Sequence, residues 1–210
     1  MKDIAIYGAG GFGREVYCLI NSINNDNRWN FIGFFDDGKE KGSLNEYGSI
    51  LGRMDDLNQW PTPLDVVIAI GNPDTVKFIA TSISNTLISF PNIIANDVAW
   101  LDKRNFVIGR GNIICNKCWI SCNVRFDDFN ILNVNTSIGH DVKIGNYNSL
   151  MPSVCISGEV SMNDSNFFGV ASVVLQRVKI GSNVRLGANS VLINKPKNNN
   201  TYIGNPAVIL

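Results

Sequence analysis

From residue 108 onward the chain places a large apolar residue at every sixth position: Ile108, Ile114, Ile120, Phe126, Leu132, Ile138, Ile144, Leu150, Ile156, Met162, Phe168, Val174, Ile180, Leu186 and Leu192. A period of six is neither the helical 3.6 nor the simple alternation of a long strand. It fits a short strand followed by a tight turn, repeated. The residue two before the apolar one is small or β-branched in most hexads, as at Val124, Thr136, Val142, Val154, Val160, Ser172, Val178, Val184 and Ser190. Alternation of faces along a strand sends those two positions inward together. Glycine follows at 109, 139, 145, 169, 181 and 187 and is expected to mark the turn of the backbone. Three hexads close a triangular coil, so about five coils of about 18 residues are expected to stack, each laying parallel strands on the one below. Such a stack leaves few open sheet edges.

Bulk properties narrow the rest. Hydrophobic residues make up 45% and charged residues 17%, a globular balance. With 18 basic and 18 acidic residues and no long run of either sign, a nucleic acid or an anionic membrane is not the expected partner, since both need a concentrated basic face. No apolar stretch is long enough to span a bilayer. The opening residues lack the basic start and apolar core of an export signal, so the expected location is cytoplasmic. Five cysteines without such a signal do not suggest a disulfide framework. Cys115, Cys118 and Cys122 invite a zinc reading, but their spacing is poor and the only histidine lies 18 residues beyond Cys122. Packed thiols and no metal are expected. A zinc enzyme of the carbonic anhydrase type would need three histidines.

The front of the chain has a different rhythm. Residues 3–8 read as a buried strand, 13–23 as an amphipathic helix, 29–35 as a second strand and 65–70 as a third. A helix over 74–84 and a short return strand over 88–90 complete a small βαβ sheet. Gly8, Gly10 and Gly13 form G-x-G-x-x-G between strand and helix, with Asp36 and Asp37 about 23 residues on. Three readings are open: a dinucleotide site, a structural turn, or a site for one nucleotide. A dinucleotide crosses two βαβαβ halves, and about 90 residues make one half. One half suffices for a single nucleotide with its phosphate at the helix N-terminus.

Taken together, the order of Ile-Tyr-Gly-Ala-Gly-Gly-Phe-Gly-Arg-Glu (6–15), Phe-Asp-Asp (35–37), Ala-Ile-Gly-Asn (69–72), Ile-Gly-His-Asp (138–141) and Gly-Asn-Pro-Ala (204–207) resembles the bacterial hexapeptide-repeat sugar acyltransferases. That family includes sialic acid O-acetyltransferase and the N-acetyltransferases of UDP- or GDP-linked 4-amino sugars. The resemblance covers essentially the whole chain. It implies a Rossmann-like nucleotide-sugar domain over 1–92 and a left-handed parallel β-helix over 93–210, with regular coils from about 104. It also implies a homotrimer with active sites between neighbouring helices. In relatives the glycine loop (Gly8, Gly10, Gly11, Phe12, Gly13), the aspartates Asp36 and Asp37, and Gly71-Asn72 hold the nucleotide sugar. Phe12 departs from the pattern, since some 4-amino-sugar enzymes carry a histidine there.

His140 is the sole histidine and falls two residues after an inward Ile138, at a turn. An imidazole, with an ordinary pKa of about 6.5, accepts a proton from an attacking nitrogen or oxygen near neutral pH. The resemblance makes His140 the general base and Asp141 its orienting acid. Asn133 is a candidate for contact with the acceptor or the next subunit, with a capping or ladder role as the plainer alternative. Acetyl-CoA, as cosubstrate, is expected along the C-terminal coils, with backbone at Gly158, Val170 and Ala188 against the pantetheine arm. Ile203, Gly204 and Pro206 would cover its adenosine end, and Lys195 and Lys197 are candidates for its phosphates. Direct transfer without an acyl-enzyme is the simpler mechanism. N-acetylation of a nucleotide-linked 4-amino sugar for surface glycans is the first expectation, and O-acetylation of the sialic acid type is the nearest rival. A non-catalytic nucleotide-binding scaffold is the alternative of a different class.

Overall fold

A computed structural model describes residues 1–210 and divides into two compact units, Met1–Ile93 and Ile94–Leu210. In the first, β1 (Lys2–Tyr7), β2 (Trp29–Phe35), β3 (Leu44–Asn45), β4 (Gly48–Gly52), β5 (Leu64–Ile68) and β6 (Ile88–Ser89) form one sheet in the order β3-β4-β2-β1-β5-β6. All neighbours are parallel except β3 and β4, which form a hairpin. The helices are α1 (Gly11–Ile23), α2 (Met54–Asn58) and α3 (Pro73–Ser82). The strands and helices expected over 3–35 and 65–90 are present, with ends moved by one or two residues. The hairpin β3–β4 and α2 are additions, since residues 44–58 carry no long periodic run.

The central strands are apolar because both faces are covered: Ile4, Ala5, Ile6, Val66 and Val67 are at most 1% exposed. Gly13 lets α1 sit down on the end of β1, because a Cβ there would lie 1.9 Å from the Gly8 carbonyl oxygen. Asn72 caps α3 by accepting from the amides of Asp74 and Thr75, and Pro73 supplies the first helical residue.

At the opposite end of the sheet Asp65 is 4% exposed. Its Oδ1 accepts from Lys2 Nζ at 2.6 Å and Ser89 Oγ at 2.6 Å, and its Oδ2 from Trp29 Nε1 at 2.9 Å. Burial alone would raise its pKa. The hydrogen bonds from Lys2, Ser89 and Trp29 outweigh that and hold it below the usual carboxylate range. A depressed native pKa adds stability above the unfolded value of about 3.9 and loses it as pH falls through the native value. Asp65→Asn should therefore cost about 2 kcal/mol at pH 7, with the half-exposed Lys2 limiting the loss. Urea unfolding checks this, and the gap from the parent should narrow below about pH 4.

The second unit is a left-handed parallel β-helix with three faces. The first face stacks Ile113–Ile114, Ile131–Leu132, Ser149–Leu150, Phe167–Phe168 and Arg185–Leu186. The second stacks Ala99–Trp100, Trp119–Ile120, Ser137–Ile138, Cys155–Ile156, Val173–Val174 and Val191–Leu192. The third stacks Val107–Ile108, Arg125–Phe126, Lys143–Ile144, Ser161–Met162 and Lys179–Ile180. A hairpin, Thr201–Gly204 with Ala207–Ile209, adds to the first face through Leu186 and Tyr202. Every apolar hexad residue from Ile114 to Leu192 is buried. Coils begin before residue 104, since Trp100 already pairs with Ile120. A one-turn 3₁₀ helix at Lys103–Asn105 shifts the phase there, so the hexad count misses that strand.

Two features differ from the sequence expectation. The left-handed turn residue is not the glycine after the apolar position but the residue three after it. Every sixth residue from Gly111 to Asn189 has φ between +54° and +69°, and all but Gly111 carry a side chain. The glycines instead allow close approach between coils: a Cβ on Gly139 would lie 2.5 Å from the Gly158 amide nitrogen. The second difference is a buried amide ladder. Asn112, Asn130, Asn148 and Asn166 are 0% exposed at 18-residue intervals on one inner corner. Each Oδ1 accepts the backbone N–H of the residue 18 further on, through to the Val184 amide.

Candidate functional site

The β-helix presents His140 at the corner between its second and third faces, because Ser137–Ile138 ends one face and Lys143–Ile144 begins the next. Its Nδ1 is 2.8 Å from Asp141 Oδ2, with the two side chains about half exposed. Strand alternation would separate neighbouring side chains, but Asp141 has φ +60° and the turn brings them to one side. Asp141 Oδ1 accepts from Asn123 Nδ2 at 3.2 Å. Hydrogen bonds from His140, then from Asn123, hold the Asp141 carboxyl below its usual pKa, and the Lys143 charge adds to this. A carboxylate at Nδ1 favours the tautomer with a proton there and leaves Nε2 free to accept.

Gly158 stands one coil above His140. A Cβ on it would lie 2.5 Å from His140 Nε2, so any larger residue would push the imidazole aside. The same column continues through Gln176 and Asn194, which line a hollow with Arg177, Lys179 and Lys195. Lys197 is not in that hollow; its amide donates to the Tyr202 hydroxyl at 2.7 Å.

The remaining acyl-donor candidates lie on another corner. Val170, Ala188 and Asn133 fall between the first and second faces. The terminal hairpin joins them, because the Gly204 amide donates to Ser190 Oγ at 2.9 Å and Gly187 approaches Ile203. Pro206 lies in the hairpin turn after a cis bond from Asn205. Within one protomer, then, Gly158 shares His140's corner, whereas Asn133, Val170, Ala188, Ile203, Gly204 and Pro206 do not. Asn133 Oδ1 accepts the Val134 amide at 2.7 Å.

The first unit gathers its candidates at the carboxyl ends of β1, β2 and β5, where Tyr7 pairs with both Phe35 and Ile68. Strand β1 is the point at which the strand order reverses, the usual place for a ligand crevice in such sheets. Gly10 and Gly11 have nothing within 4 Å of an added Cβ, so the glycine loop is open, with Phe12 half-buried behind it. The N-terminus of α1 has no side-chain cap and no acidic residue in its first turn, which leaves its amides for an anion. Asp36 and Asp37 hold the loops themselves. Asp36 accepts from the Ala9 and Gly38 amides, and Asp37 from the Tyr7 hydroxyl and the Met54 amide. Burial and the Asp37 bond keep the Tyr7 phenol far above its usual range. Gly71 and Asn72 complete the rim, with Asn72 Oδ1 committed to its helix.

The three cysteines of the second half diverge. Cys118 points inward, and burial pushes its thiol up to about 11. Cys115 and Cys122 flank different strands, on different corners. No group of three or more His, Cys, Asp or Glu side chains is placed to hold a metal ion, and no helix is long and apolar enough to cross a membrane.

A βαβ unit with an open glycine loop is thus followed by a left-handed β-helix that projects an imidazole bonded to a carboxylate. Residues 3–83 match the PglD N-terminal domain family. The chain is 26% identical over 184 residues to GDP-perosamine N-acetyltransferase of Escherichia coli O157:H7, covering 85% of this chain and 80% of the relative. Among solved structures, WeeI of Acinetobacter baumannii AYE is 25% identical with a TM-score of 0.89, each chain being fully covered. PerB of Caulobacter crescentus, solved with CoA and GDP-perosamine, shares the fold at 20% identity and a TM-score of 0.88, over 100% of this chain and 98% of PerB. The acetyltransferase domain of PglB from Neisseria gonorrhoeae FA1090, solved with acetyl coenzyme A, does so at 24% and 0.86, over 100% and 99%. The chain thus carries a PglD-type N-terminal domain over residues 3–83 and shares the fold of these acetyltransferases.

Proposed function

We propose that the protein transfers an acetyl group from acetyl-CoA to the amine of a nucleotide-linked 4-amino sugar, with His140 as general base. The observation that carries this reading is the single imidazole, bonded through Nδ1 to Asp141 with Nε2 over the backbone of Gly158. The sugar nitrogen attacks the thioester carbonyl and its proton passes to Nε2. The tetrahedral intermediate then collapses, the C–S bond breaks, and the departing CoA sulfur takes up a proton as the imidazole is released. The Gly158 amide is the candidate to steady the oxyanion, since the amides of Ser157 and Glu159 on either side donate to Val174 and His140. No acyl-enzyme is required, and the 20–26% identical relatives bound to CoA and GDP-perosamine, or named for acting on it, support an amino-sugar acceptor.

The nucleotide sugar is assigned to the open glycine loop and the uncapped start of α1, residues 1–92 forming its domain and 93–210 the transfer domain. A homotrimer is supported by the division of the acyl-donor candidates between two corners flanking the second face. Packing of one copy's Gly158 corner against another's Val170–Ala188 corner would complete the site. A cytoplasmic step in surface glycan assembly fits a soluble nucleotide sugar and acetyl-CoA as substrates. Acetyl transfer with UDP- and GDP-linked 4-amino sugars, compared with free sialic acid, tests the reading. Turnover on the amino sugars alone is expected, and turnover on sialic acid alone would replace N-acetylation by O-acetylation.

A further inference from the structure

At His140's corner the left-handed turn positions stack into a column of Asn123, Asp141, Glu159 and Arg177, with φ of +56°, +60°, +60° and +66° at 18-residue intervals. One coil separates each from the next, so their side chains leave the backbone in the same direction. The column resolves into two bonded pairs. Asn123 donates to Asp141, and Arg177 Nε donates to both oxygens of Glu159, at 3.1 and 3.2 Å. Two like charges, Asp141 and Glu159, therefore stand one coil apart, and each is held by a different kind of donor.

We propose that Asn123 is a positioning residue for acetyl transfer: its amide fixes the Asp141 carboxylate and so keeps His140 Nε2 the unprotonated base. The inference rests on the reading of His140 as base. Asp141 is exposed, and an exposed carboxylate with one bonded oxygen is free to rotate among rotamers. With Oδ1 on Asn123 and Oδ2 on His140 Nδ1, its plane is set. A neutral amide suits this role better than a cation. Lysine or arginine at 123 would neutralise the carboxylate and weaken its hold on the imidazole, whereas Asn supplies a donor and leaves the charge. Arg177 meanwhile engages Glu159, which limits a second negative charge near the imidazole. Asn also tolerates the left-handed turn better than most residues, so one side chain serves both the backbone and the carboxylate.

The charged and titratable groups around the imidazole are Asp141 beside it, Lys143 three residues on with Arg125 one coil below that lysine, Glu159 and Arg177 above, and the Cys122 thiol one coil below. Asn123→Gly removes the amide and keeps the turn. Asn123→Asp keeps the turn preference and replaces the donor by a second carboxylate. Because His140 is the sole histidine, ¹⁵N-imidazole NMR reads its tautomer without assignment. In the parent the Nδ1–H form should dominate. In Asn123→Gly the Nε2–H fraction should rise. Its kcat should drop about fivefold, the scale of one exposed bond to a charged group, with KM for both substrates within twofold. Asn123→Asp, which loses the donor and repels the Asp141 carboxylate, should raise the Nε2–H fraction as well.

An unchanged tautomer and kcat in Asn123→Gly, with or without a lower melting temperature, would overturn the proposal. Should the glycine variant fail to fold, an unchanged tautomer in Asn123→Asp would do so. The two readings fail separately. Full turnover by His140→Ala would remove the base assignment, while the tautomer spectra still judge Asn123's hold on the imidazole.

Discussion

Replacing His140 by alanine is expected to lower kcat by about a thousandfold while CoA binding stays within about threefold. The expectation follows from position. The imidazole is at the surface, about half exposed, so its removal opens no buried cavity. What is lost is proton acceptance at Nε2, and a positioned general base contributes roughly 10²–10⁴ in rate. Stopped assays of CoA release with a nucleotide-linked 4-amino sugar measure kcat, and calorimetric titration with CoA measures binding. A variant that loses CoA affinity instead would show that His140 holds the donor. A non-catalytic scaffold would bind ligands in both forms and turn over neither.

Asn148→Ala is expected to destabilise the β-helix by about 3 kcal/mol, which lowers its melting temperature by roughly 8 °C. Asn148 lies mid-ladder and is 0% exposed. Its Oδ1 accepts both the backbone and side-chain amides of Asn166, while its own Nδ2 donates to Asn130 Oδ1 and the Asn146 carbonyl. Truncation orphans the buried Asn166 backbone N–H and leaves a cavity. Neither is recoverable by relaxation, because each coil is fixed by those above and below. Thermal melting by circular dichroism reads the effect, and a drop under about 1 °C would mean that water fills the gap.

The β-helix was legible because one constraint, an apolar residue every six, is written into each hexad and repeated too often for accident. The front domain was legible from its apolar strands and glycine loop. Its edge hairpin and α2 were not, since segments of two to five residues carry no period. The turn position differs from the expected one for a physical reason. Glycine is the usual left-handed residue, yet here glycine serves close approach between coils, and Asn, Asp and bulkier residues take the positive φ. His140 and Asp141 are adjacent in sequence, so their pairing was open to expectation once the turn was allowed to break alternation. Asn123 is 17 residues from His140 and meets its neighbour only through the rise of one coil. The buried asparagines were hidden likewise. At i−2 they break the small-residue pattern, and only their 18-residue spacing would have marked them as a ladder. The candidates at Val170 and Ala188 rest on resemblance, and steps of 18 residues from His140 reach Gly158 and Gln176, which puts Val170 and Ala188 on a different corner.

The most direct test compares two titrations. The sole imidazole is followed by ¹⁵N NMR in a dead-end complex of the protein with CoA and the amino-sugar nucleotide, and kcat is followed across the same pH range at saturating substrates. If His140 takes the proton, the acid limb of kcat falls with a midpoint matching that of the imidazole. A kcat that stays level while the imidazole gains its proton would contradict the account.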